Sequence, residues 1–481
     1  MKFLASALLV GSAVVAPASA ACFKSKSFQN STGTVTDVDV AIIGGGASGV
    51  YAAARLLDNN KSVVILERSD RIGGQTETYY DPTTGTPVNV GVKVFGNTTA
   101  TIDFLKRFDF PMGSLNVGQT LATGTKYVDF ATGRLLPNFT TGDPAAQASA
   151  MQRYAAELAK YPNIKFGYNL GMPVPEDLTL PFGKFMEKHN LTGMAQTMFE
   201  FNSGYAPLLE IPALYILKYL DTYELQSLQS GAFVVAANGD SATLYRNAAK
   251  FLGDRVVYGV NGMSIQRPAS VDGRVTISVG NSTTGARHIR AKKLIFAAAP
   301  TLDNLRSTGL DLDTTEASLF GKLSAGVFYS LVVEGTGVAS ANLRNRHPAN
   351  PYGFPDQPFI YSVIPLPKTT GLVQILLGSA SALTTKQVEA RVANDIRRLP
   401  ASLRGNATAA ATNPKIVSMA AHTWNVMAPV EDIKAGFYDK LEGLQGLKNT
   451  WYIGAAWATQ SSTTIWEGLE QEFLPKLLAT L

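Results

Sequence analysis

The run Gly44-Gly45-Gly46-Ala47-Ser48-Gly49 and the acid Glu67, 18 residues beyond Gly49, are the first groups in the chain whose types and spacing carry chemistry. Gly44 permits a tight turn, Gly46 lets the backbone approach a pyrophosphate, and Gly49 lets a helix lie close on a strand. The backbone N–H groups of Ala47 and Ser48 then face a phosphate from the helix N-terminus. Glu67 is placed to accept hydrogen bonds from the hydroxyls of an adenosine ribose. The spacing predicts a dinucleotide site. The segment that follows, Glu67-Arg68-Ser69-Asp70-Arg71-Ile72-Gly73-Gly74-Gln75, adds cationic donors in Arg68 and Arg71 and backbone N–H groups at Gly73 and Gly74 that suit the same phosphates.

These groups need elements to hold them. Val38, Val40, Ala41, Ile42 and Ile43 read as a buried strand, Val50 to Leu57 as an alanine-rich helix and Ser62 to Leu66 as a second strand. Farther along, Leu244 to Leu252 reads as a helix, Val256 to Ile265 as a strand, Val271 to Ile277 as a hairpin-like stretch and Lys293 to Pro300 as another strand. Near the C-terminus, a short strand through Trp451-Tyr452-Ile453, a turn at Gly454-Ala455 and a terminal helix that includes Thr464 and Ile465 can present backbone N–H groups to a ligand.

From Glu67 through the Arg71-x-Gly73-Gly74 turn, and again over Asn449 to Leu469, the chain resembles the flavin-dependent amine oxidase superfamily, with the resemblance running from about Val38 to Leu478. It implies FAD as cofactor and an α/β fold, in which a Rossmann-type FAD-binding domain is interleaved with a mixed α+β substrate domain. The implied FAD-binding parts are 36–102, 230–301 and 424–481, and the substrate parts are 103–229 and 302–423. The resemblance also implies that Met263 meets the adenine through its main chain, that Gly454, Ala455, Thr464 and Ile465 carry the flavin, and that Trp457 and Trp466 wall its ring. His422 and Trp424 stand where the family's substrate-facing aromatic residues occur. Alternate strand positions share a face, so both are candidate catalytic residues lining the flavin.

Gly204-Tyr205, Ile211-Pro212-Ala213-Leu214-Tyr215, His422-Thr423-Trp424, Gly436-Phe437-Tyr438 and Leu444-Gln445-Gly446-Leu447 are most similar to the secreted fungal branch related to beta-cyclopiazonate dehydrogenase. That branch implies hydride abstraction from a C–H of a small specialised metabolite, with or without oxidative ring closure. Two other readings stand beside it: a secreted amino-acid, polyamine or prenyl-thioether oxidase that releases hydrogen peroxide, and a flavin-binding protein without catalysis. The chain departs from the superfamily pattern at three places. Gln75 replaces a common Arg, Asn89 stands where many relatives have an acid, and Gly326 to Val332 contains no lysine of the kind many amine oxidases place beyond flavin N5.

The composition narrows the field further. Among 481 residues there is one cysteine, Cys22, which excludes both an intramolecular disulfide and a cysteine-tethered flavin near the C-terminus. The four histidines, His189, His288, His347 and His422, are scattered and suggest no metal site. A net charge of +5 with 16% charged residues makes no phosphate-binding face of the kind nucleic acid requires. Lys2, the apolar stretch from Phe3 to Val15 and Pro17-Ala18-Ser19-Ala20 predict a secretory leader over 1–20, with no membrane span after it. Asn30, Asn97, Asn138, Asn190, Asn281 and Asn406 head glycosylation acceptors consistent with that route. A small-molecule substrate is the expected partner; oligomeric state is not legible.

Overall fold

β-Branched and apolar side chains at Val38, Val40, Ile42 and Ile43 favour an extended, two-sided buried strand, and Val35–Ile43 is the centre of a largely parallel sheet. The computed structural model describes residues 35–115, 124–202, 204–280, 287–405, 408 and 412–481. The expected leader, Cys22, Asn30, Asn281 and Asn406 lie outside the described residues. Val63–Leu66 pairs in parallel with one side of the central strand and Arg287–Phe296 with the other. Arg287–Phe296 is long enough to hold two partners on its free edge. Its first half pairs antiparallel with Val275–Val279, and its second half pairs in parallel with Thr450–Tyr452. Segments far apart in sequence thus meet in one nucleotide layer.

The strand expected over 256–265 is two strands. Val256–Val257 extends the sheet beyond Val63–Leu66, whereas Met263–Gln266 closes the opposite edge against Val275–Val279. Gly259, at φ +67°, and the glycine at 262 break the extended run between them.

A second sheet runs in the order Lys415–Met427, Ser324–Glu334, Val373–Ser379, Phe359–Pro365, Asn342–Asn345, Thr125–Asp129, Arg134–Leu135. Val388, Val392 and Ile396 of the helix Thr385–Arg398 cover one face, packing on Leu331, Val333, Ile375 and Leu377. The other face belongs to a larger core shared with the helices between 144 and 230 and with the nucleotide layer. A small sheet of Val94–Phe95, Phe233–Ala236 and Met112–Leu115 ties the two halves together.

Two domain limits move once pairing is visible. The helix Thr99–Arg107 runs through the expected limit at 102/103, and the strand Lys415–Met427 runs through the one at 423/424. Hydrophobic pattern marks what is buried, not the point where the chain crosses between layers, so a continuous element conceals the crossing. Among the described residues no helix is long and apolar enough to cross a membrane.

Candidate cofactor and substrate site

Two glycine turns face each other at the end of the central strand. Gly44 adopts φ +103° and donates to Leu66 O at 2.9 Å. A Cβ on Gly49 would stand 2.0 Å from Gly44 O, so the helix Ala47–Asp58 lies this close to the turn only with glycine there. Gly73, at φ +114°, donates to Gly45 O at 2.7 Å, and a Cβ on Gly74 would stand 2.9 Å from Gly46 Cα. A Cβ on Gly46, by contrast, would meet nothing nearer than Gly74 Cα at 3.9 Å. Gly46 therefore borders open space above a helix end that no side chain caps. Uncapped N–H groups and the positive end of the helix dipole suit an anion there.

Glu67 is held at the rim. One carboxylate oxygen accepts from Gly45 N at 2.7 Å and the other from Ser69 N at 2.8 Å. Its main chain is bonded by Val257 and Val260, so the structure brings that segment, rather than Met263 on the far edge, onto Glu67. Arg68 is exposed. Arg71 braces the second turn, donating to Gly74 O, Thr76 O and, at 2.8 Å, the Glu77 carboxylate. Gln75 reaches the second sheet, where its Nε2 donates to Thr423 O at 3.0 Å.

The C-terminal element closes the same end. Gly454, at φ +105°, stands beside Ser48, and the residue before it donates to Phe296 O. Ala455 is partly accessible next to it. Ser461 caps the helix Ser462–Gly468 by accepting from Thr464 N. Thr464 gives its hydroxyl to Asp221 at 2.8 Å, Ser461 gives its own to Glu224 at 2.6 Å, and Ile465 is buried in the nucleotide-layer core. Burial pushes both acids up, Glu224 to about 7.

Thr423 separates the two candidate catalytic residues. His422 is buried, and its Nε2–H donates to Val90 O at 3.1 Å. Desolvation lowers its pKa, so the ring is neutral at physiological pH. Trp424 is half-buried among Phe328, Tyr205 and Tyr219, with ring centroids 5.5, 6.5 and 6.2 Å away. It crosses directly over Gly204, where a Cβ would stand 2.2 Å from the indole nitrogen.

Two expected walls of the flavin are core residues instead. Trp466 is completely buried, stacked on Tyr51 and Phe95, and its indole N–H donates to Ala47 O at 3.1 Å. Trp457 stacks on Tyr452 at 5.2 Å, facing away into the core beside Phe320. Asn89 accepts from the Thr78 hydroxyl and from Ser241 N, holding neighbouring loops together.

The family described as NAD(P)-binding Rossmann-like domain matches residues 42–108. Over 481 residues, all of both chains, the protein is 85% identical to an FAD-dependent oxidoreductase of Apiospora sacchari. This chain belongs to the FAD-dependent oxidoreductases. It is also 32% identical to beta-cyclopiazonate dehydrogenase of Aspergillus flavus over 448 residues, covering 92% of this chain and 93% of that one. Among solved structures, a fatty acid isomerase from P. acnes that produces CLA superposes with a TM-score of 0.68 at 20% identity, covering 91% and 98% of the two chains. Putrescine oxidase superposes at 0.62 with 17% identity, covering 93% and 100%. These likenesses show the fold.

The oxidoreductase's own residues fit FAD. The open face of Gly46, the uncapped helix and the Glu67 rim form a cradle of backbone donors with one carboxylate. Trp424 Nε1 and Asn425 Oδ1, on the strand beyond Thr423, are buried polar atoms without a hydrogen-bond partner among the described residues. Sequence reasoning missed Lys93, Asp221 and Glu224. Lys93 meets Gln374, Asp221 meets Thr464 and Glu224 meets Ser461 across distant segments, whereas the local pattern at Asp221 signals only the helix cap it forms on Tyr223 N and Glu224 N.

Proposed function

We propose that this oxidoreductase removes hydride from a C–H of a small specialised metabolite, in a dehydrogenation that includes or omits ring closure. The observation that carries the reading is the inner face of the second sheet. There Phe328, Trp424, Tyr205 and Tyr219 form an aromatic wall beside a strand that has no lysine from Gly326 to Val332. Such a wall holds an apolar skeleton by burial and ring contact and excludes water from the reacting carbon. FAD, when bound, supplies the two-electron acceptor. Gly46, Ala47, Ser48 and Gly74 would hold its pyrophosphate, Glu67 its ribose, and Gly454 and Ala455 its ring end. Gln75 would keep the substrate wall in register with the cofactor through its bond to Thr423. The dehydrogenase named among the relatives supports the same class of step. The test is anaerobic mixing of the yellow holoenzyme with metabolite fractions from a strain lacking the protein. Bleaching of the flavin by one fraction, with a product two hydrogens poorer, is expected. Peroxide release with polyamines, amino acids or prenyl thioethers, and no bleaching by any fraction, overturns the reading.

The leader and the exposed acceptors Asn97, Asn138 and Asn190 support a secretory route. Endoglycosidase treatment of the protein from its native host is expected to increase its gel mobility; an unchanged band refutes glycosylation at these sites.

A further inference from the structure

Lys93 directly precedes the strand Val94–Phe95 of the small sheet and reaches across to the second sheet. Its side chain is accessible, yet its ammonium is desolvated, with its pKa pushed down to about 8 and the Arg344 guanidinium adding repulsion. The head reaches inward, because its partner Gln374 is buried. Its Nζ donates to the Gln374 carbonyl oxygen. The Gln374 amide is itself fixed, donating to Asn89 O at 2.9 Å and to Ser330 Oγ at 2.7 Å, so only the carbonyl faces the lysine. One of three ammonium donors is thereby used, and no carboxylate contributes to the lysine's electrostatics.

The neighbourhood does not compensate that charge. Arg344 and Arg346 share a single carboxylate, Glu200, at 2.7 and 2.6 Å. Glu200 is thus taken up by the two arginines, of which Arg346 is completely buried, and leaves Lys93 without an anionic partner. An uncompensated interior cation is costly, and an anionic oxygen brought by a ligand offsets that cost. Ser330 and Phe328 are alternate residues of one strand, so the lysine's support and the aromatic wall share a face.

We infer that Lys93 receives an acidic oxygen of the substrate, a carboxylate or an enolate, while the aromatic wall takes the apolar skeleton. The inference rests on the proposed reading of this chamber as the substrate site. It makes Lys93 a specificity-determining residue that holds the substrate by its charged end.

The test is a titration of FAD-loaded holoenzyme with benzoate, an aromatic carboxylate, followed through the visible flavin spectrum. K93M, and K93Q where K93M fails to fold, should weaken benzoate binding by about tenfold or more at unchanged FAD content. K93R should restore binding to within about threefold. A parallel titration with sulfite, which adds to the flavin ring, should be unchanged. Benzoate binding indifferent to the loss of the lysine, or no benzoate response in the wild type, overturns the inference. A loss of sulfite affinity with benzoate unaffected also overturns it, assigning the charge to the flavin instead. Failure of the proposed function is distinguishable, because then no metabolite fraction bleaches the wild-type flavin whatever the benzoate titrations show.

Discussion

Replacement of Glu224 by Gln should make the protein more stable above neutral pH and change little in acid. Glu224 is 7% exposed, accepts the Ser461 hydroxyl, and lies beside Asp221, whose charge adds to the burial that raises its pKa from 4.5 to about 7. In the unfolded chain the carboxyl ionises near its ordinary value; in the fold it stays protonated until about pH 7. Between those limits the native state binds more protons, so stability falls as pH rises through this window. At about 1.4 kcal/mol per pH unit, the cost to the wild type reaches about 3 kcal/mol above pH 7 and is under about 1 kcal/mol at pH 5. Gln keeps an acceptor for Ser461 and removes the ionisation. With an unfolding entropy of about 2 cal/mol/K per residue, the gain for a chain of this length is a rise of about 3 °C in melting temperature at pH 8. Thermal melts of FAD-free wild type and E224Q at pH 5 and pH 8 measure it. Equal melting temperatures at pH 8, or the same difference at both pH values, would refute the reasoning.

Four further outcomes follow from the site. G46A adds a Cβ to open space, so the apoprotein should melt like the wild type while FAD retention on gel filtration falls sharply; full retention contradicts the cradle. G49A forces a Cβ to 2.0 Å from Gly44 O, so circular dichroism should show apoprotein destabilised by several kcal/mol as well as loss of flavin. Trp466→Leu removes a stacked, hydrogen-bonded ring from the nucleotide-layer core and should cost about 3 kcal/mol in denaturant titration. Trp424→Leu should leave FAD content intact and slow flavin bleaching by the active fraction; equal bleaching rates place the substrate elsewhere.

The strand, glycine turn, helix and Glu67 were legible because their geometry is local. The turn needs φ values and close approaches that particular glycines allow, and the apolar run beside it can only be a buried strand. The same locality failed at 256–265, where an apparently continuous strand hid a crossing from one edge of the sheet to the other. It failed again at Trp466, whose place beside the flavin motifs in sequence gave no sign that its ring points into the core.

The sequence by itself determined the strand, glycine turn, helix and Glu67 of a dinucleotide site and ruled out a cysteine-linked flavin, because these rest on residue identity and short-range spacing. Tertiary structure alone decided what lines the chamber. Gln75 meets Thr423, Glu224 meets Ser461, and Lys93 meets Gln374 across hundreds of residues. A buried charge takes its meaning from the groups that desolvate and pair it, and those are chosen by sheet order and layer packing, which no single segment encodes.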